Sequence, residues 1–123
     1  AAEARDVVVI GSGPGGYTAA LYAARALLNP LVLAGVSHGG QLMLTSDVEN
    51  FPGYIEPVPG PQMMDEMRTQ AERFGAEIVE RDATSVDLSS YPFRIEVGKG
   101  GSGGAKTVTA RAVILSTGAQ ALW

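Results

Sequence analysis

The segment from residue 7 to residue 33 restricts the fold of this chain more than any other part of it. Residues 7–10 (VVVI) form a short β-branched run, which is typical of a parallel strand buried on both faces. A glycine turn follows, and then an alanine-rich segment that we expect to be helical as far as about Leu28, before Asn29 and Pro30. Residues 31–33 (LVL) predict a second buried strand. This order predicts a right-handed βαβ unit and therefore an α/β domain.

The turn between the first strand and the helix has the spacing GxGxxG, at Gly11, Gly13 and Gly16. In this context Gly11 permits the tight turn, Gly13 lets a pyrophosphate approach the backbone, and Gly16 lets the helix pack against the strand. The unpaired N–H groups and the positive end of the helix dipole would hold the phosphate charge. The pattern predicts a dinucleotide site. A turn needed only for packing, or an NAD(P)-binding Rossmann domain, would show the same glycines.

Further along the chain, a long polar loop leads to a second helix and a third strand. Residues 36–60 are rich in glycine and proline, and a connection of this length is commonly functional. We expect the second helix to begin at Pro61 and to end at Gly75. Its buried face is predicted from the helical spacing of four residues: Met63, Met67, Ala71 and Phe74. Residues 76–79 predict a third parallel strand.

An antiparallel meander is predicted after the third strand. From Ser85 onward the apolar period changes to two, and Phe93, Ile95 and Val97 alternate with charged residues. Residues 112–115 are again apolar and should rejoin the central sheet. The expected architecture is a three-layer α/β domain: a mostly parallel central sheet, helices on one face and the β-meander on the other.

Composition and charge exclude several classes of function. The net charge is −4 and the nine Lys and Arg residues form no run, so we expect no nucleic-acid binding. The sequence has no cysteine, which excludes disulfides, Cys-based zinc sites and a thiol redox centre within these residues. No apolar stretch has the length of a membrane span and no secretory signal is recognisable, so we expect a cytoplasmic or organelle-stroma location and no membrane association. We expect His38 to be solvated, and we expect Asp47 and Glu49 not to form a joint metal site, so no metal site is predicted.

Five segments together are more specific than the glycine turn. In chain order they are GSGPGGYTAALYAAR, GGQLMLTSDVENFPG, GPQMMDEMRTQAERFGAEIV, VDLSSYPFRIEV and ARAVILSTGA. They resemble the N-terminal FAD-domain segment of the low-molecular-weight, NADPH-dependent thioredoxin reductases, from about Asp6 to Trp123. The resemblance implies a Rossmann-like FAD-binding domain. It is interrupted only at residues 98–105 (GKGGSGGA), which we expect to be a flexible loop or linker without chemistry.

The resemblance also implies which residues contact FAD. The pyrophosphate loop would consist of Gly11, Ser12, Gly13, Pro14, Gly15 and Gly16, although the family more often has alanine at the position of Gly15. Residues beside the flavin and its ribityl chain would be Gly40, Gln41, Leu42, Thr45 and Asn50; alternatively, Asn50 and Pro52 only hold a turn. The backbone of Ala83 would face the adenine, and the chain would leave the sheet beside the cofactor at Thr117, Gly118 and Ala119. No catalytic residue and no metal ligand is implied.

Ala34 is the main departure from the family pattern. The family has a glutamate at this position, and its carboxylate accepts hydrogen bonds from the hydroxyls of the adenosine ribose. Losing such charge-assisted bonds would weaken binding by about 1.5–3 kcal/mol. Because the pyrophosphate turn is intact, we expect a reduced affinity for FAD, with complete loss as the alternative.

Other parts of the family's machinery have no counterpart in these 123 residues. In the family, an NADPH domain carries a CxxC dithiol, and a returning segment completes the flavin site. We therefore expect this single FAD-binding domain, incomplete as it is, not to transfer reducing equivalents from NADPH to thioredoxin by itself. Three interpretations remain: an isolated or engineered fragment that binds FAD weakly, one piece of a flavoenzyme that another fragment completes, and a folded scaffold without cofactor. Apolar surface that the returning segment would cover also predicts a homodimer.

Overall fold

The computed structural model describes residues 4–35, 40–44, 46–98 and 106–118. The strands and helices follow one another in an α/β order, with a short antiparallel pair inside the long loop. In chain order they are β1 (Arg5–Ile10), α1 (Pro14–Arg25), β2 (Leu31–Leu33), a 3-10 helix (Gly40–Leu44), β3 (Asp47–Val48), β4 (Val58–Pro59), α2 (Gly60–Arg73), β5 (Glu77–Val79), β6 (Ala83–Asp87), β7 (Phe93–Val97) and β8 (Lys106–Leu115).

The main sheet has six strands in the order β5-β2-β1-β8-β7-β6. The pairs β5–β2, β2–β1 and β1–β8 are parallel, whereas β8–β7 and β7–β6 are antiparallel. The predicted βαβ unit and the mostly parallel sheet are therefore confirmed. Strand β8 connects the parallel part of the sheet to the antiparallel part. Its first half, up to Ala110, pairs with β7, and the stretch from Ala110 to Leu115 pairs with β1.

Two hydrophobic clusters lie on opposite faces of the sheet and define three layers. Val7 and Val9 of β1 pack on one face with the small side chains of the helices, such as Ala20 and Ala71. Two other residues of β1, Val8 and Ile10, belong to a second cluster with residues of β2 and of the meander: Leu31, Leu33, Ile95, Val97 and Ala110. Because side chains alternate along a strand, β1 supplies both faces, and the meander covers the face opposite the helices as predicted.

Helix α1 ends three residues before the predicted position. Its last residue is Arg25, and the N–H groups of Leu27 and Leu28 donate to the carbonyls of Ala24 and Ala23. These two bonds form a Schellman motif, in which the residue after the cap adopts a left-handed conformation. Leu27 takes that position with φ of 62°. The expectation of helix as far as Leu28 was therefore wrong, because a leucine occupies a position where glycine usually gives the signal.

The end of helix α2 is as predicted from the sequence, but the predicted burial of one of its side chains is wrong. The bonds from Gly75 N–H to the Glu72 carbonyl and from Ala76 N–H to the Ala71 carbonyl again form a Schellman motif, and Gly75 has φ of 111°. Met63 and Ala71 are buried as predicted, and Met67 is partly buried. The prediction for Phe74 was wrong, since the residue is 41% exposed. It caps the helix at the surface, where the guanidinium groups of two arginines lie 5.4 and 6.0 Å from its ring centroid.

Within the described residues, no helix has the length and apolar character needed to cross a membrane. No cluster of three or more His, Asp or Glu side chains is placed there to bind a metal ion. The predicted linker lies outside the described residues except for Gly98, and so does His38.

Candidate functional site

The ends of three parallel strands meet at the glycine turn. Ser116, directly after β8, donates its N–H to the carbonyl of Ile10 at the end of β1 (2.8 Å). Gly11 donates its N–H to the carbonyl of Leu33 at the end of β2 (3.1 Å). The carboxyl ends of parallel strands are where open α/β sheets bind ligands. The turn therefore lies at the edge of the sheet where a ligand is expected.

Gly11 and Gly16 must be glycines because backbone atoms of other residues lie where their side chains would be. A Cβ built on Gly11 would overlap the carbonyl oxygen of Ser116, and Gly11 also has φ of 119°. A Cβ on Gly16 would overlap the carbonyl oxygen of Gly11 and would lie 3.7 Å from the Cβ of Ser116. The structure thus brings Ser116 into the turn. The sequence analysis missed this residue, although it stands directly before Thr117 in the segment that carried the resemblance.

Gly13 differs from these two glycines because the part of the chain that the structure describes leaves the space beside it open. Among the described residues, no atom lies within 4 Å of a Cβ at Gly13, and the nearest atom to a Cβ at Gly15 is Ser116 Oγ at 4.0 Å. Gly13 is also the N-cap of α1, makes no side-chain capping bond and precedes Pro14. The first backbone N–H groups of a helix have no acceptor within the helix. The turn therefore presents helix-terminal donors beside open space, with no acidic side chain in the first turn.

A shallow cavity of about 310 Å³ adjoins this helix terminus. Three of its lining residues are predicted cofactor contacts from separate parts of the chain: Pro14, Leu42 and Asn50. The other lining residues are apolar: Val48, Phe51, Pro52 and Met63. Sequence reasoning assigned Met63 to the core, where it also lies, and gave Phe51 no role. The aromatic ring next to Asn50 was the available signal for Phe51.

Ser12 connects the turn to the core through its hydroxyl. The side chain is buried, donates to the carbonyl of Ala34 (2.8 Å) and is hydrogen bonded to the hydroxyl of Tyr17. Burial raises the pKa of Tyr17 above its usual value, and the positive charge of nearby Arg68 acts in the opposite direction as a smaller effect. Tyr17 therefore stays neutral at physiological pH, and the pair holds the turn by hydrogen bonds between uncharged groups.

Ala34, where a ribose-binding acid was expected, is buried directly after β2. Its methyl group belongs to the core cluster on the helix side of the sheet. Its N–H donates to the carbonyl of Val79 (2.8 Å), and its own carbonyl is the acceptor for Ser12. The residue is thus next to the glycine turn, as the family pattern requires, and its side chain offers no hydrogen-bond acceptor.

The remaining predicted contacts are spread around the same edge or lie outside the described residues. Thr117 and Gly118 are exposed after β8, and Gly118 has φ of 77°. Ala83 begins β6 and packs against the cluster between the sheet and the meander. Gly40 and Gln41 begin the 3-10 helix. Thr45 and Ala119 lie outside the described residues. The cofactor contacts of all these residues stay predictions.

Comparisons with known proteins agree with the resemblance seen in the sequence. A family pattern described as pyridine nucleotide-disulphide oxidoreductase matches residues 5–122. Thioredoxin reductases of Streptomyces clavuligerus and Chlamydia trachomatis are each 52% identical to this chain, over 96% and 94% of its length. The chain spans only 35% and 36% of the length of these two relatives.

Solved structures give the same result for the fold. A thioredoxin reductase from Giardia duodenalis superimposes with a TM-score of 0.85 at 41% identity, over 95% of this chain and 37% of the other. One from Streptococcus pyogenes has the same TM-score at 32% identity, over 97% and 37%. The three-layer arrangement is therefore that of a segment of these proteins. By its sequence and its fold, this chain belongs to the pyridine nucleotide-disulphide oxidoreductase family.

Proposed function

We propose that this chain is the FAD-binding segment of a thioredoxin reductase-like flavoprotein, and that it binds the pyrophosphate of FAD at the N-terminus of α1. The observation that carries the proposal is the open space over Gly13 beside uncapped helix-terminal N–H groups. A Cβ would occupy this space, so glycine keeps it free for a ligand. Family membership supports a dinucleotide as that ligand.

The charge distribution of the turn suits a pyrophosphate. The N-terminus of a helix carries about half a positive charge, and backbone N–H groups there bind phosphate oxygens. No acidic side chain in the first turn of α1 opposes the ligand, and Pro14 has no N–H that would be left without an acceptor. The residues present therefore fit the pyrophosphate part of FAD.

The adjoining cavity suits the less charged parts of the cofactor. Leu42, Phe51 and Met63 provide apolar surface, and the exposed amide of Asn50 can both donate and accept hydrogen bonds. A bound flavin would supply hydride and single-electron chemistry, and the protein would position and shield it. The ribose part fits less well, because the methyl group of Ala34 can accept no hydrogen bond.

The reaction of the whole protein extends beyond these residues. We propose that the complete protein passes reducing equivalents from NADPH through FAD to the disulfide of a thioredoxin, in the cytoplasm. This sequence contains no cysteine, so a dithiol for that transfer would have to come from another segment or another chain. The share of this chain in the reaction would be to hold FAD.

A second candidate is a folded domain that has lost its cofactor. The buried, apolar Ala34 favours it, because the acid that normally anchors the adenosine ribose is absent. The two candidates differ in one measurable property, which is saturable binding of FAD by this chain.

Titration of the purified chain with FAD, followed by flavin fluorescence, tests the proposal. We expect saturable binding that Gly13→Val weakens at least tenfold, because the new side chain would occupy the space intended for the pyrophosphate. The substitution should leave the fold intact, since Gly13 has φ of −77° in the extended region and its Cβ would meet no atom of the described residues. Thr69→Val, on the exposed surface of α2, is the matched control and should bind as the unmodified chain does.

Thermal unfolding of the three proteins establishes that each is folded. Binding that Gly13→Val leaves unchanged would place the nucleotide somewhere other than the glycine turn and contradict the proposal. A cooperative unfolding transition together with no binding at any accessible FAD concentration would establish the second candidate, a scaffold without cofactor.

A further inference from the structure

We propose that the nucleotide site of this chain does not discriminate at the 2′ position of the adenosine ribose. The inference rests on the proposed function and adds a ligand class to it: adenine nucleotides with a 2′-hydroxyl, a 2′-hydrogen or a 2′-phosphate should bind with similar affinity. Ala34 is the residue that determines this property. The argument follows from its surroundings at the end of β2.

Ala34 occupies the position of the residue that normally binds the ribose. In dinucleotide-binding βαβ units, an acidic residue about 20 positions after the glycine turn accepts hydrogen bonds from the ribose hydroxyls. Ala34 directly follows β2, and the hydrogen bond from Ser12 Oγ to its carbonyl joins it to the turn at 2.8 Å. The structure thus has the backbone geometry of a ribose site without the carboxylate.

The side chain of Ala34 cannot take over the missing function. Only 5% of the residue is exposed, and its methyl group belongs to the cluster that contains Val9, Val32 and Ala71. Its N–H is bonded to the carbonyl of Val79, which lies on the neighbouring strand β5. Both polar groups of the residue are therefore engaged within the protein, and the side chain supplies only apolar surface.

The charged side chains of the segment after β5 include a cation as well as anions, and one of its carboxylates is engaged by a second cation. Gly35 donates its N–H to the carbonyl of Arg81 (3.0 Å), so the segment after β5 runs beside the end of β2. This segment contains Glu80, Arg81 and Asp82 in succession. The Glu80 carboxylate is paired with the guanidinium of Arg68 on α2 at 2.8 Å. Arg68 also contacts the Glu72 carboxylate at 3.9 Å and therefore lies between two of the nearby anions.

A carboxylate at position 34 would have two effects, and both are absent from this chain. It would favour a ribose hydroxyl by accepting its hydrogen bond, and it would repel a 2′-phosphate by like charge. Dinucleotide sites that accept the 2′-phosphate lack the acid and have an arginine nearby. Without the carboxylate, affinity depends on the pyrophosphate at the turn, which all three nucleotides share.

Calorimetric titration of the unmodified chain with ADP, 2′-deoxy-ADP and adenosine 2′-phosphate 5′-diphosphate tests the inference. We expect the three dissociation constants to agree within about threefold. Ala34→Glu should bind ADP about tenfold more tightly than 2′-deoxy-ADP, and should bind the 2′-phosphorylated nucleotide most weakly. Ala34→Gln is the matched control, because its amide can bond a hydroxyl but carries no charge to exclude a phosphate.

The unmodified chain alone decides the inference, even if the larger side chains at position 34 prevent folding. A preference of tenfold or more for ADP over 2′-deoxy-ADP would overturn it while leaving the proposed function in place, because ADP would still be bound. Rejection of the 2′-phosphate with normal ADP binding would do the same. Failure to bind any of the three nucleotides, together with failure to bind FAD, would overturn the proposed function and this inference with it.

Discussion

The three glycines of the GxGxxG pattern are fixed by different physical constraints. Gly11 and Gly16 lack side chains because protein backbone occupies the space, whereas Gly13 faces open space. The first two are therefore demanded by folding, and the third is the one that the proposed nucleotide binding would require. The GxGxxG pattern predicted this division of roles, and the structure adds which backbone atoms occupy the space at Gly11 and Gly16.

Gly16→Ala should destabilise the fold far more than Gly13→Ala. The new Cβ at position 16 would overlap the carbonyl oxygen of Gly11, and backbone atoms on both sides cannot move aside without breaking the turn. Overpacking of this kind costs about 1–3 kcal/mol or more in the free energy of unfolding. For Gly13→Ala we expect a change below about 1 kcal/mol. Urea denaturation of both variants measures the difference, and equal losses would contradict the packing at Gly16.

Residues of the site that are remote in sequence were only partly predictable. The pattern GxGxxG identified the turn because all of its parts are local. Ser116 lies about 100 positions away and reaches Gly11 only because β8 pairs with β1, so no local pattern could indicate the contact. The resemblance to a family gave its neighbours Thr117 and Gly118, but the close approach itself became visible only in the structure.

At the scale of elements, the two helices end by the same motif with different residues. Helix α2 has Gly75 in the left-handed position, so its end was predictable from the sequence. Helix α1 has Leu27 there, and nothing in the sequence distinguishes this leucine from a helical one. The Schellman bonds to Ala23 and Ala24 show that the chain must turn toward β2 at this point. The end of α1 is therefore set by the tertiary fold and not by the local preference of the sequence for helix.

Leu27→Gly should therefore stabilise the protein. A non-glycine residue in the left-handed region costs about 1–2 kcal/mol. Glycine removes this cost, but its larger conformational freedom in the unfolded chain offsets part of the gain. Leu27 is 82% exposed, so little packing is lost. We expect a gain of about 0.5–1 kcal/mol in the free energy of unfolding, measured by thermal or urea denaturation. Leu28→Gly, where φ is not positive, is the control and should destabilise; equal effects of the two would contradict this account.

At the scale of the whole molecule, the sequence predicted the layers but not the environment of β8. Residues 112–115 are apolar, which indicates a strand buried in the middle of a sheet. In the structure this half of β8 has β1 on one side and no strand on the other within the described residues. Leu115 is consequently 63% exposed. An apolar run shows that the side chains of a strand are suited to burial. Whether they are buried depends on the neighbouring elements, which the run itself does not identify.

This open edge of β8 predicts that the chain self-associates. An exposed apolar edge strand presents unpaired N–H and C=O groups to which another chain can add. We expect light scattering to show a molar mass that rises from monomer toward dimer with concentration. Leu115→Lys should shift this equilibrium toward monomer, because a charge on the edge would have to be buried in the pair.

Leu88→Lys is the matched control for that experiment. Leu88 is also an exposed leucine (54%), but it lies directly after β6, away from the open half of β8. This variant should associate as the unmodified chain does, whereas Leu115→Lys should not. A molar mass that stays monomeric for the unmodified chain at every concentration would show that the edge does not pair. Equal loss of association in both lysine variants would assign the effect to net charge and not to β8.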